Sequence, residues 1–424
     1  MKKISVVGFG KIGQAIVANM LKHGITVIAV DINPELHRVF ADGKYESNEP
    51  GLSDVLTSSF ASGQLIITND FSQVHDSAAV IVAIPLLVDQ QKNILDEPFL
   101  NCFRELAPHF NNNVLIVIET SIPVGYGREV VVPAIESKGK KHGTDFLLVH
   151  SPERIKSGTM LEQLLRTPKV IGGVSPEATQ KALEIYQWFF DRSLIHIVDS
   201  IEAAEMVKLA GMAYRDVNIA LSNQLAMFSN RIGVSFADLI PLINTDGEAY
   251  LLQPGIGVGG HCTPVYPYFL INNFKEAGLD FALASRSRVI NDEMAAYAVA
   301  LASMYAHNKT ALILGLSFRP NLKEDTFSTS YLLRDALQKN NFNVQLHDTE
   351  FSNSEIENKG FVAADDVYAS GAEVVFLVTM HKEYKSLDYT KLHAAGVRVL
   401  IDGRNQLNKQ HVEQAGIRYI GIGR

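Results

Sequence analysis

The stretch Lys3-Ile4-Ser5-Val6-Val7-Gly8-Phe9-Gly10-Lys11-Ile12-Gly13 decides the fold. A β-rich run stops at Gly8. Residues 12–22 then place Ile12, Ile16, Val17, Met20 and Leu21 at helical spacing. Strand, glycine turn and helix in that order are the setting in which Gly-x-Gly-x-x-Gly cradles a dinucleotide. Gly8 makes the tight turn, Gly10 lets backbone approach a pyrophosphate, and Gly13 lets the helix pack closely on the strand. Gly24 ends the helix, and residues 26–30 read as a second strand closed by Asp31, 18 residues beyond Gly13. A carboxylate there accepts bonds from both ribose hydroxyls and repels a 2′-phosphate, so the expected cofactor is NAD and not NADP.

Outward from this unit, apolar runs at 79–84, 114–118 and 146–149 are separated by enough chain for helices. Nearly continuous apolar strands are what a parallel sheet covered on both faces requires. Residues 1–200 therefore read as an NAD-binding, doubly wound domain. The texture changes at Asp199-Ser200. Residues 201–232 lack proline, and Met206, Ala210, Ala213, Tyr214, Val217 and Leu221 recur at steps of three and four. This predicts one helix of about 48 Å, with Ser200 as N-cap and Gly233 just past its end. Its apolar residues lie all round, which implies burial, in part against a second copy, so 201–305 reads as a linking and dimerisation domain. A third texture begins near Lys309, where strands at 311–315, 343–347, 373–378 and 397–402 alternate with helices such as 329–338. Its first strand runs into Gly315-Leu316-Ser317-Phe318, without the dinucleotide fingerprint, so residues 306–424 form an α/β domain for a different ligand. The expected fold class is α/β, with two doubly wound, Rossmann-like domains joined by a long central helix.

The 424 residues carry 38 Lys+Arg against 46 Asp+Glu, a formal charge of −8, which argues against nucleic acid as a partner. The longest nearly apolar run, 78–88, is shorter than the ~20 residues that span a bilayer, so no membrane association is expected. The N-terminus enters a strand directly, with no secretory h-region. Two cysteines form no disulfide framework. The expected compartment is the reducing cytosol. The 13 histidines show no ligand spacing, so no metal is expected.

Chemistry concentrates in the segment Gln253-Pro254-Gly255-Ile256-Gly257-Val258-Gly259-Gly260-His261-Cys262. Four glycines within residues 255–260 exclude a helix or strand interior and bring backbone amides towards a ligand. Cys262 follows directly, and a thiol in a polar loop can ionise and attack a carbonyl. The alternative reading is a small residue beside a glycine hinge. Cys102, among Phe99, Phe103 and Leu106, reads as core filler. His261 reads as a structural or substrate contact and not as the base, because neighbouring loop residues usually point apart. NAD combined with a loop cysteine suggests oxidation of an alcohol past the aldehyde, through a thiohemiacetal and a thioester, to a carboxylate.

These features resemble the UDP-glucose/GDP-mannose dehydrogenase family along essentially the whole chain. The motifs are the N-terminal fingerprint, Val82-Ala83-Ile84-Pro85, Thr120-Ser121-Ile122-Pro123-Val124-Gly125, Ser151-Pro152-Glu153-Arg154 and Ala204-Glu205-Met206-Val207-Lys208. The Cys262 loop, Gly315-Leu316-Ser317-Phe318-Arg319-Pro320-Asn321 and Asp402-Gly403-Arg404-Asn405 complete the set. Residues 214–220 and 259–262 are similar to the branch acting on UDP-N-acetylhexosamines, especially UDP-N-acetylmannosamine. The resemblance implies oxidation of a UDP-sugar at C6 with two NAD, in polysaccharide biosynthesis, by a cytoplasmic homodimer. It implies Cys262 as nucleophile, Lys208 as oxyanion and water partner, Glu153 as base or water-orienting carboxylate, and Ser121 as the hydroxyl holding the water. NAD would be held by Gly8, Phe9, Gly10, Lys11, Ile12, Gly13, Asp31, Ile32, Ile84, Pro85 and Thr120. The UDP-sugar would meet Arg154, Lys208, Arg215, Asn218, Gly257, Gly259, His261, Phe318, Arg319 and Arg404.

The sequence also departs from the family pattern. Tyr266 stands where the family has Asp, Met212 where it has an oxyanion-binding Asn, Ser121 where it has Thr, and Thr326 where it has Arg. The segment between Asn244 and Gln253 lacks the Arg that the family lends to a neighbouring subunit. Losing one oxyanion donor costs on the order of 10²–10³ in rate. Two other readings therefore stand beside C6 oxidation. One is a two-electron oxidoreductase or epimerase using Tyr266 as acid/base, and the other is a non-catalytic sugar-nucleotide binder.

Overall fold

The computed structural model describes residues 2–424, in two compact units, Met1–Ala210 and Gly211–Arg424. In the first, β1 (Lys3–Val7), β2 (Thr26–Val30), β3 (Leu65–Thr68) and β4 (Ala79–Val82) precede a small antiparallel hairpin of β5 (Leu87–Val88) and β6 (Ile94–Leu95). β7 (Val114–Ile118), β8 (Phe146–His150), β9 (Lys169–Gly173) and β10 (Ile195–Ile197) follow. The main sheet has the order β10-β9-β8-β7-β4-β1-β2-β3. From β3 to β8 the neighbours are parallel, and β9 runs antiparallel to β8. Every residue of β7 and β8 is buried, as the continuous apolar runs require.

The second unit repeats the plan. Strands β11 (Thr310–Leu314), β12 (Asn343–His347), β13 (Val362–Ala363), β14 (Val374–Leu377), β15 (Val399–Asp402) and β16 (Arg418–Gly421) form an all-parallel sheet in the order β13-β12-β11-β14-β15-β16. Its core joins Ile313, Phe376 and Ile401 to Leu333 and Leu337 of the helix Thr329–Lys339 and to Met294 and Ala298 of the helix Ala282–Ser303. In both sheets the strand order reverses beside the first strand, between β1 and β4 and between β11 and β14. Ligands of open α/β sheets bind outside the carboxyl ends of strands at such a reversal. The two ends in question carry Gly8 and Ala83 in the first unit, and Gly315 and Val378 in the second.

The long helix spans Ile201–Ile232, as its composition predicts. The Ser200 hydroxyl accepts from the Ala203 amide at 3.2 Å. Gly233 takes φ +72°, and the Val234 amide returns to the Ser229 carbonyl at 3.1 Å to close the last turn. The expectation of burial all round is not met by the single chain. Tyr214, Leu221 and Phe228 are 56%, 49% and 61% exposed, and their spacing of seven puts them on one stripe. The sequence does not mark β3, β10, β13 and β16, which are short or half-exposed, nor β9, which is buried throughout but carries a lysine and two glycines in five residues. Among the described residues no helix is long and apolar enough to cross a membrane.

Candidate active site

The β1 turn is built by close approach. Gly8 has φ +92°, and a Cβ there would lie 2.8 Å from the Ile84 side chain. A Cβ on Gly13 would lie 2.0 Å from the Gly8 carbonyl oxygen, so strand and helix meet backbone to backbone. A Cβ on Gly10, by contrast, would meet nothing within 4 Å, which leaves the mouth of the helix Lys11–Lys22 open for a pyrophosphate. Asp31 braces this turn. Its carboxylate accepts from the Phe9 amide at 2.7 Å and from the Asn33 amide at 2.9 Å. Ile32 is exposed and apolar, Lys11 and Pro85 are exposed, and Ile12 and Ile84 are partly buried. The Thr120 hydroxyl donates to the Ile84 carbonyl, tying the end of β7 to that of β4. The eleven residues assigned to NAD therefore line the ends of β1, β2, β4 and β7, and the open glycine turn fits the dinucleotide.

Beyond β7 and β8 lies a buried ionic cluster. Glu153 places one carboxylate oxygen on the Arg154 and Ile155 amides, at 2.6 and 3.0 Å, and the other on the Lys169 ammonium at 2.8 Å. Lys169 also donates to Glu119, whose second oxygen takes the Tyr186 hydroxyl at 2.5 Å. Burial alone would raise the Glu153 carboxyl, but Lys169 and the two amides offset it and hold the group below its ordinary pKa. In Glu119 burial wins over Lys169, and the carboxyl is pushed up to about 7. Burial drives His150 down to about 3 beside Lys169, so its imidazole is neutral. The Lys208 ammonium donates to the Glu153 main-chain carbonyl at 2.7 Å. Ser121 is buried and Arg154 is partly exposed. On the same long helix as Lys208, Glu205 accepts from the Gly125 and Gly127 amides at 2.6 and 2.9 Å, and burial raises its carboxyl to about 8.

In the second unit the cysteine loop is seated on the C-terminal sheet. The Ile256 amide donates to the Gly403 carbonyl at 3.1 Å and the Gly260 amide to the Thr326 carbonyl at 3.0 Å. Gly260 has φ +107°, and a Cβ there would touch the Phe318 ring at 2.9 Å, so only glycine lets the loop lie on that ring. His261 meets Phe318 edge-on with centroids 5.9 Å apart, and Arg319 lies 5.6 Å from the same ring. A Cβ on Gly257 would strike Thr329, and one on Gly259 would strike Phe318. Arg404 donates through Nε to the Val378 carbonyl at 2.6 Å, and a Cβ on Gly255 would lie 3.2 Å from its Nη1. Cys262 is half-buried, and its carbonyl accepts from the Val265 and Tyr266 amides at 3.1 and 2.9 Å. Tyr266 therefore opens the helix Tyr266–Glu276 directly after the thiol. Gly257, Gly259, His261, Cys262, Phe318, Arg319 and Arg404 thus gather at the ends of β11, β14 and β15. Asn218 is placed otherwise, since it holds the Tyr250 carbonyl at 2.7 Å and the Leu252 amide at 2.8 Å. Arg215 is exposed on the long helix, and Met212 is partly exposed one turn past Lys208.

Sequence models of one family match in succession: its NAD binding domain at residues 2–190, its central domain at 202–293 and its UDP binding domain at 312–409. The chain belongs to the UDP-glucose/GDP-mannose dehydrogenase family. It is 29% identical to the UDP-N-acetyl-D-mannosamine dehydrogenase of Methanococcus aeolicus, over 100% of this chain and 96% of that one. It is 28% identical to an NDP-N-acetyl-D-galactosaminuronic acid dehydrogenase of Ralstonia solanacearum, over 95% of this chain and 96% of that one. The solved UDP-D-ManNAc dehydrogenase of Pyrococcus horikoshii superposes with a TM-score of 0.89 at 28% identity, covering 100% of this chain and 99% of that one. This dehydrogenase is therefore an enzyme of the NAD-dependent nucleotide-sugar class, with NAD as its cofactor. NAD supplies a hydride acceptor when bound.

Several structurally committed groups were not singled out by the sequence: Glu119, Lys169, Tyr186, Arg288, Asn291 and Asn223 lie outside the quoted motifs, whereas Glu205 and Asp216 lie within them without a role assigned. Asp216 takes Arg288 at 2.6 Å and Asn291 at 2.8 Å, Asn291 takes Asn223 at 2.9 Å, and Asn223 takes the Gly255 amide at 2.9 Å. The available signal was a charge inside or at the edge of an apolar run, as with Lys169 before Val170-Ile171-Gly172 and Glu119 after Val114–Ile118.

The raised carboxyls give a pH signature. Glu119 and Glu205 keep their protons in the folded state up to about 7 and about 8, whereas the unfolded chain releases them near 4.3. Their contribution to stability is thus complete below the unfolded pKa and is lost as pH rises through the folded values. The thermal midpoint of the enzyme, followed by calorimetry, should fall from pH 5.5 to pH 8, and Glu119→Gln should flatten the lower half of that fall. A Glu119→Gln profile parallel to wild type would contradict the assignment.

Proposed function

We propose that this dehydrogenase oxidises a UDP-N-acetylhexosamine at C6 to the uronate through a thioester on Cys262. The observation that supports this most is the seating of the Cys262 loop. Its glycines lie on Phe318 and against the Gly403-Arg404 turn, beside the β11–β14 reversal where the sheet would hold the nucleotide. A half-buried thiol is thereby fixed relative to Phe318, Arg319 and Arg404 of the same unit. The similarity to N-acetylhexosamine-type dehydrogenases favours that sugar class.

In the proposed chemistry, loss of a hydride and a proton converts the C6 alcohol to an aldehyde. The Cys262 thiolate adds to the carbonyl carbon, forming a C–S bond and an alkoxide. Loss of a second hydride restores the carbonyl as a thioester. Water then adds, the C–S bond breaks, the thiol leaves and the carboxylate remains. The Lys208 ammonium would stabilise the alkoxide. Glu153, held ionised by Lys169, would act as the base or orient the water with Ser121. Tyr266 begins its helix at the amide bonded to the Cys262 carbonyl, so its phenol is the group available where other family members carry a carboxylate. That placement also favours a second reading, a two-electron oxidation or epimerisation with Tyr266 as acid/base.

Purified enzyme with NAD and a panel of UDP-sugars should yield two NADH per sugar and a uronate. Cys262→Ser should lower uronate formation about 10³-fold or more while NAD binding persists. One NADH or none with an altered neutral sugar would establish the second reading. Tight binding without turnover, by the wild type, would mean a sugar-nucleotide binder.

A homodimer in the cytoplasm, serving polysaccharide biosynthesis, completes the reading. The region 201–305 would be its dimerisation domain, as the heptad-spaced Tyr214, Leu221 and Phe228 on the long helix suggest. Light scattering should give twice the 46.7 kDa chain mass. Phe228→Glu should shift the species towards monomer at micromolar concentration, and an unaffected dimer would place the interface elsewhere.

A further inference from the structure

We propose that Lys169 is a positioning residue for the oxidation, locking the Glu153 turn to the Glu119 end of β7 and, through the Glu153 carbonyl, fixing the Lys208 amine. This rests on the roles proposed above for Glu153 and Lys208. The geometry carries it. Because β9 runs antiparallel to β8, its first residue lies at the carboxyl end of the parallel strands, where the loops after β7 and β8 begin. There one ammonium, 4% exposed, bridges two carboxylates that are 1% and 7% exposed. The two loops are also joined through backbone, since the Glu153 amide donates to the Glu119 carbonyl at 3.1 Å. Glu119 immediately precedes Thr120 and Ser121, so the same lysine sets the start of that loop as well. From the Glu153 carbonyl the chain of contacts continues to Lys208 at 2.7 Å.

The titratable groups facing Lys169 come from every neighbouring element: Glu119 after β7, His150 at the end of β8, Glu153 beyond it, and Tyr186 on the helix Pro176–Tyr186. Of these only Lys169 carries a positive charge. A buried lysine and two carboxylates are a poor way to gain stability, because packed apolar residues of equal volume commonly do as well or better. What such a cluster provides is a single geometry, fixed by directional bonds. Of the three catalytic assignments, Glu153 is itself one of the two bridged residues, Ser121 follows Glu119 by two residues, and Lys208 is one hydrogen bond from Glu153.

The test compares Lys169→Met with Lys169→Arg, and adds Glu119→Gln/Lys169→Met, in which a neutral amide that cannot ionise replaces the Glu119 carboxyl once the lysine is gone and so protects folding. Lys169→Met and the double variant should lower kcat on the order of 10²-fold, as expected for misplaced reacting groups, with NAD affinity within about twofold of wild type. Lys169→Arg, which keeps a cation able to bridge two carboxylates, should recover at least a tenth of the activity. Lys169→Met/Lys208→Ala should lose clearly less than the product of the two single losses, since part of the Lys169 effect passes through Lys208. Wild-type kcat in folded Lys169→Met, or losses that multiply in the double variant, would overturn the proposal. An activity-independent readout separates it from the reading it rests on. In ¹³C-dimethylated enzyme the Lys208 resonance should shift on Lys169→Met or on the Glu119→Gln/Lys169→Met change, whatever Lys208 does in turnover. An unmoved Lys208 signal sinks the inference, whereas a shifted signal with an active Lys208→Ala enzyme sinks only the role given to Lys208.

Discussion

Backbone approach at the Gly8–Gly13 turn is the constraint on which the nucleotide-binding unit depends. With 2.0 Å between a Cβ on Gly13 and the Gly8 carbonyl oxygen, no side chain fits there. The helix Lys11–Lys22 can lie on the sheet with its free amides at the carboxyl end of β1 only because of that closeness. Asp31 is held by the same turn, since its carboxylate spends an oxygen on the Phe9 amide. The open Gly10 turn, which would face a pyrophosphate, and the Asp31 carboxylate, which would face a ribose, are thus two ends of one small, rigid object. Strand order does the remaining work, because the reversal between β1 and β4 leaves the space beyond those ends uncovered.

The second sheet uses the same topology with different punctuation. Gly315 replaces the fingerprint, and the loop after it is held from below. Asp348 takes the Leu316 and Ser317 amides at 2.6 and 3.0 Å. His381 takes the Asn321 amide on Nδ1 at 2.9 Å, which leaves its Nε2 proton for Asp348 at 3.1 Å. A fold shared by the two halves therefore presents two chemically distinct loops. The glycines of the Cys262 segment make sense in this frame. They allow a flat backbone to lie on Phe318, so a loop that composition alone would call flexible is held at several points.

Much of the site was legible in the residues. The fingerprint, Asp31, the long helix and the Cys262 loop each have local spacing that reports its own structure, and the family membership followed from motifs in order. The edge strands β3, β10, β13 and β16 were not legible, because a short strand paired on one side needs little apolar periodicity. The apolar residues of the long helix predict burial, in part against a second copy, and the stripe of Tyr214, Leu221 and Phe228 is exposed in the single chain. The helical repeat tells which residues share a face but not what covers that face. Nor does the motif that carries Asn218 report that its amide holds the Tyr250 carbonyl and the Leu252 amide, contacts more than 30 residues away.

Sequence alone determined the fold class, the cofactor and the order of the domains, since each rests on interactions between residues near in the chain: turn glycines, helix caps and strand alternation. Only the tertiary structure decided which charges meet. Lys169 lies 50 residues from Glu119 and 16 from Glu153, and nothing local marks the three as partners. Their protonation states follow from burial and from a neighbour delivered by a strand that reverses direction. Desolvation and Coulomb energies depend on distance in space, and distance along the chain does not contain them.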